Sequence, residues 1–137
     1  MKVMVIREEQ DKTRKEVSSP KAVDELVGDE LRSKDREHFL TIHLNTKNRV
    51  IGIETTAIGT LNHAAIHQRE IFKAAILNSA SSIIIVHNHP SGDINPSGED
   101  LAFTRKLVEA GELLGIPVID HIIIGDTYLS FKENGFM

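Results

Sequence analysis

Residues 83–100 read IIIVHNHPSGDINPSGED, and this stretch decides the fold. Ile83-Ile84-Ile85-Val86 is a short unbroken apolar run, which predicts a strand buried on both faces. The run stops at His87-Asn88-His89-Pro90, and a loop rich in Pro, Gly, Asp and Asn carries the chain to Pro96. Side chains two apart on an extended backbone face the same way, so His87 and His89 can aim two imidazoles at one point. Pro96-Ser97-Gly98 then opens a helix, and Asp100 arrives in its first turn. Two neutral imidazoles and one carboxylate leave a divalent metal with a vacant position, the layout of a catalytic zinc site. The same residues admit other readings. Ser97-x-x-Asp100 is also a plain helix start, with Ser97 as cap and Asp100 favoured by the helix dipole. Two histidines and a carboxylate also describe the iron(II) facial triad. The letters HNH match the name of a nuclease family only by accident, because that name refers to dispersed residues.

Outward from this stretch, elements alternate. Phe39–Leu44 places Leu40, Ile42 and Leu44 on one side and Thr41 and His43 on the other. Asn45-Thr46-Lys47-Asn48 is turn chemistry, and Val50–Thr56 resumes as a β-branched strand, which together predict a hairpin. A helix fits about Ala65–Asn78, with Ile71, Phe72, Ala75 and Ile76 on one face. Ser18-Ser19-Pro20 signals entry to a further helix running to about Leu31. After the metal-type motif, Phe103, Leu107, Ala110 and Leu114 form a helical stripe that should stop near Gly115. Val118–Ile124 and Tyr128–Phe131 read as two strands joined by a tight Gly125-Asp126 turn. The polar run REEQDKTRKE at 7–16 makes residues 1–17 a peripheral arm, with Val3–Ile6 an edge strand, and leaves 18–137 as one domain. The fold class is therefore mixed α/β (α+β), a mainly antiparallel sheet flanked by helices.

Composition narrows the chemistry. The 137 residues suffice for one domain with a real core. The chain has no cysteine, which excludes disulfides, thiolate zinc sites, iron–sulfur clusters and a cysteine nucleophile, along with the paired-cysteine ligands of a nucleoside deaminase. Any zinc must be held by imidazole and carboxylate. Net charge is −4, which argues against a broad nucleic-acid footprint. No apolar run approaches the roughly 18 residues of a membrane span, and no signal peptide is visible, so a cytoplasmic protein without membrane contact is expected.

His87-Asn88-His89-Pro90 followed by Ser97-Gly98-Glu99-Asp100 resembles the JAMM (MPN+) motif, in which an upstream Glu precedes His-x-His-Pro, six residues and Ser-x-x-Asp. The longer string HNHPSGDINPSGED, with HQREIFKAAILNSASSIIIV before it and DHIIIG after it, is similar to the bacterial RadC-like (JAB) branch over about residues 18–137. The resemblance implies a JAB/MPN fold, similar in outline to cytidine deaminases, and zinc-dependent peptidase or isopeptidase chemistry on a peptide or protein substrate. His87, His89 and Asp100 would ligate Zn2+, and Ser97 would donate a hydrogen bond to the oxyanion. The family's Glu lies just before an early core strand, which points to Glu37 as general base and then acid, with Glu54, Glu70 and Glu99 as the other candidates. His67 and His121 sit in family-like stretches, where each either lines the pocket or orients a ligand, or is an ordinary structural histidine. His38, His43 and His63 read as solvent-facing. Full-length relatives carry an N-terminal helix-hairpin-helix region that residues 1–17 do not resemble, so the chain reads as a short family member or a catalytic domain. Without that region, and at this net charge, direct DNA binding is not expected. The alternative function is a non-enzymatic or nuclease-like accessory protein in DNA repair or recombination. Isoleucine-rich edge strands leave a homodimer open.

Overall fold

A computed structural model describes residues 2–5, 14–59 and 68–137. Its strands are β1 (Lys2–Val5), β2 (Glu37–Leu44), β3 (Val50–Gly59), β4 (Ser82–Asn88), β5 (Val118–Ile124) and β6 (Tyr128–Ser130). They form one sheet in the order β1-β3-β2-β4-β5-β6. β4 and β5 run parallel, and every other neighbouring pair is antiparallel, so the sheet is mixed and mainly antiparallel as expected. Parallel neighbours need a long crossover, which helix α4 (Gly98–Leu114) supplies between β4 and β5.

The β2–β3 hairpin turns where the sequence indicates. Asn45 Oδ1 accepts from the backbone N–H groups of Lys47 and Arg49, and Asn48 takes the left-handed conformation at φ 58°. The helix entering at Pro20 is capped by Ser19, whose hydroxyl accepts from Ala22 N–H. It is not uniform: α1 (Pro20–Val23) passes through a π-helical turn (Asp24–Gly28) into α2 (Asp29–Arg32). Helix α3 (Gln68–Leu77) precedes β4.

Both faces of the sheet are covered, and this sets the burial of β4, where all seven residues are buried. On one face Ile83 and Ile85 pack with Phe39, with Ile71 and Phe72 of α3 and with Phe103 and Leu107 of α4. On the other, Ile84 and Val86 pack with Ile42, Ile122 and Ile124 and with Val23, Val27 and Leu31 of the α1–α2 helix.

The two-sided cover corrects two expectations. His43 was expected to face solvent, yet it is fully buried, because the Thr41/His43 side of β2 lies under α3 and not under water. Leu114 was expected in the core stripe of α4, yet as the last residue of the helix it is exposed; the buried stripe is Phe103, Thr104, Leu107 and Gly111, and Gly115 (φ 73°) ends the helix where expected. The isoleucine-rich strands β4 and β5 lie inside the sheet, and the edges are β1 and β6. Of the arm expected over 1–17, Lys2–Val5 pairs with β3 and Val17 is buried against the α1 side; most of the remainder, like His63 and His67, lies outside the described residues. No helix among the described residues is long and apolar enough to cross a membrane.

Candidate metal centre

The centre forms where β4 leaves the sheet. His87 is the sixth residue of β4, is fully buried and faces the α4 side, stacked against Phe39 across the β2–β4 ladder. His89 lies one step beyond the strand end, half-buried, with its backbone N–H still donating to Ile124 O. The intervening Asn88 points to the opposite face, where its amide donates to the carbonyls of Leu31 and Arg36, and its oxygen accepts from His38 N–H. That clasp fixes the strand exit and ties the segment leading into β2 to it.

The loop then returns the chain to the same spot. Gly92 adopts φ 89°, and a side chain there would collide with the Asp126 carboxylate; its carbonyl accepts from Asp126 N–H. Gly125 sits so close to Gly92 O that it too must lack a side chain. The loop is thus pinned to the β5–β6 turn. Helix α4 starts behind it with a complete capping box: Ser97 Oγ accepts from Asp100 N–H, and Asp100 Oδ2 accepts from Ser97 N–H. The capping reading and the metal reading of Ser97-x-x-Asp100 are therefore compatible, because the cap is what turns Asp100 inward, 2% exposed, toward the histidines.

His87, His89 and Asp100 each offer a ligand atom, and these atoms lie within 4.8 Å of one another. The two Nε2 atoms are 3.0 Å apart; Asp100 Oδ1 lies 3.6 Å from His87 Nε2, and Oδ2 lies 3.5 Å from His89 Nε2. Proton accounting explains what such a cluster suits. His89 Nδ1 lies 2.6 Å from Asp93 O, and a carbonyl can only accept, so Nδ1 carries the proton and a neutral His89 presents a bare Nε2. A buried carboxylate beside bare imidazole nitrogens is the donor set of a divalent cation, with bonds of about 2.0–2.2 Å. The Asp100 carboxylate raises the His89 pKa above its ordinary 6.5, against the opposing effect of burial, and the Asp93 carbonyl and the nearby Glu37 charge add to that rise. Proton and metal would compete for the same Nε2 lone pair.

Glu37 opens β2. The antiparallel register has Phe39–His87 as its last pair, so Glu37 lies two residues beyond it, at the end where β4 leaves the sheet. Glu54 is buried on the far part of β3 opposite Thr41, Glu70 stands in the first turn of α3, and Glu99 is exposed on α4. The Glu37 charge reaches His89 of the His87–His89–Asp100 group. His121, on β5, is fully buried and lies against the centre: its Nε2 is 2.7 Å from His87 Nδ1. His38 is half-buried and contacts Arg36 O.

The pattern of the RadC-like JAB domain matches residues 17–136. The chain belongs to the RadC-like JAB family. Curated relatives include a UPF0758 protein of Desulforamulus reducens, 55% identical over 126 residues, which cover 91% of this chain and 56% of the relative. A UPF0758 protein of Caldanaerobacter subterraneus is 56% identical over 121 residues, 88% of this chain and 52% of the relative. One from Methanosarcina mazei is 50% identical over 125 residues, 90% of this chain and 55% of the relative. The chain spans about half the length of these RadC-family relatives. The mixed sheet with helices on both faces is the JAB/MPN fold expected of the family.

Proposed function

We propose that this RadC-like JAB domain is a zinc-dependent hydrolase of the JAMM class that cleaves a peptide or isopeptide bond. The observation that carries the reading is the convergence of His87, His89 and Asp100 at a strand exit, with the Glu37 charge reaching His89. Zinc held by these three residues would supply Lewis-acid polarisation of the scissile carbonyl and a readily deprotonated water. Glu37 takes the proton of the attacking water and passes it to the departing amine. The Ser97 hydroxyl oxygen accepts from Asp100 N–H, which leaves its own proton to donate to the oxyanion. Burial of His87 and Asp100 lowers the local dielectric and strengthens each of these interactions.

The test is an unbiased peptide-library cleavage screen on the zinc-loaded protein and on Glu37→Gln. Cleavage by the parent and none by the variant, at equal metal content, is the expected result. Cleavage that survives Glu37→Gln would remove Glu37 from the chemistry, and metal-dependent cutting of DNA in place of peptide would turn the reading to a nuclease.

A further inference from the structure

A second buried histidine stands behind His87, and the Thr104 hydroxyl gives its hydrogen bonds a direction. Thr104, on the buried stripe of α4, places its hydroxyl 2.8 Å from the Asp100 carbonyl and 2.6 Å from His121 Nδ1. A carbonyl has no proton to give, so the Thr104 hydroxyl donates to Asp100 O. Its oxygen must then accept from His121 Nδ1–H. Neutral His121 therefore has a bare Nε2, and the 2.7 Å contact to His87 is a hydrogen bond only if His87 Nδ1 carries the proton. His87 Nε2 is then bare and turned toward His89 and Asp100.

We infer that Thr104 and His121 form a relay that locks His87 in the Nδ1–H tautomer, so that a metal meets a prepared Nε2 lone pair. His121 is a positioning residue and acts only through His87. Its own placement is heavily determined. The ring stacks on Phe131 at 4.2 Å between centroids and lies edge-on to Phe39. Its backbone N–H donates to Asp120, whose carboxylate also accepts from Ser130 Oγ and Lys132 N–H. The relay begins at the Asp100 carbonyl and ends at His87, so one ligand residue orients another through α4 and β5. Partners of this kind raise the basicity of the ligand and fix its ring, and losing one typically costs metal affinity about 10- to 100-fold.

The inference rests on the metal reading above for its purpose, but the tautomer can be read without any metal. Long-range 1H–15N correlation spectra of the metal-free protein should show both His87 and His121 protonated on Nδ1. A His87 proton on Nε2 overturns the relay, whatever the protein hydrolyses. Zn2+ affinity by chelator competition supplies the second arm. His121→Phe keeps the ring on Phe131 but removes both nitrogens, and should weaken binding about 10- to 100-fold. Thr104→Val is nearly isosteric and should weaken binding and mix the His121 tautomers, while Thr104→Ser, which keeps the hydroxyl, should restore both. Unchanged affinity and unchanged tautomers in Thr104→Val contradict the proposal even if His121→Phe fails to fold. A parent protein that binds no zinc would sink the hydrolase reading and leave the spectra to decide the relay.

Discussion

Two polar clusters share one face of the sheet and are finished to different degrees. At the strand exit, the Nδ1 protons of His87, His89 and His121 all have acceptors, in His121, the Asp93 carbonyl and Thr104. Toward the other end of β2, His43 and Glu54 are equally buried, yet His43 Nε2 and Glu54 Oε2 stand 4.0 Å apart, each without a hydrogen-bond partner among the described residues. His43 is held on its other nitrogen by the Asn78 amide at 3.0 Å. Burial pushes the His43 pKa down to about 4 and the Glu54 pKa up to about 7, the latter opposed by the chain's N-terminal charge and assisted by Glu70. The first cluster gathers polar groups whose bonds direct lone pairs to a point; the second gathers polar groups that burial drives toward neutrality. Buried polarity alone therefore does not mark a site, and the direction of its hydrogen bonds does.

The contrast can be broken at either end. Glu37→Gln should have the largest effect, a loss of turnover of about 10²- to 10⁴-fold with metal content and melting temperature unchanged, read by steady-state cleavage of whichever peptide the screen yields. At the second cluster the effect is on stability. A raised carboxyl pKa means the fold favours protonated Glu54, so its contribution is intact below about pH 4.5 and lost as pH rises through about 7. Glu54→Gln stays neutral throughout. It should therefore gain on the parent by up to roughly 3 kcal/mol between pH 4 and pH 8 in urea denaturation. A pH-independent difference would mean that Glu54 is charged in the fold. Asn78→Ala should have the smallest effect, a loss of about 1 kcal/mol, because it removes the hydrogen bond to His43 Nδ1. No change in its denaturation midpoint would mean that water replaces the amide.

Much of the scaffold was legible in the sequence where the signal is local. The unbroken run Ile83–Val86, the Ser97 cap, the Gly115 stop and the Asn45–Asn48 turn each announce themselves within a few residues, and each stands where expected. The His87–His89–Asp100 cluster was also local, because two-residue alternation and one helix start suffice to converge it. What the sequence withheld depends on which distant element covers a face. Alternation along β2 puts Thr41 and His43 on one side but cannot say that α3 lies over it, so His43 read as exposed. For His121 the sequence left pocket lining, ligand orientation and a plain structural role open, and choosing among them needed α4 to bring Thr104 against it, a contact between residues 17 apart that no spacing rule foretells. The π-helical turn at Asp24–Gly28 likewise leaves no local mark, since the residues there suit an ordinary helix.

The central claim is that His87, His89 and Asp100 hold one metal ion, and metal analysis of the purified protein tests it most directly. About one zinc per chain is expected in the parent, and almost none in His87→Ala or Asp100→Ala when circular dichroism shows both folded. Equal zinc in the parent and both variants, or none in the parent after incubation with zinc, would contradict it.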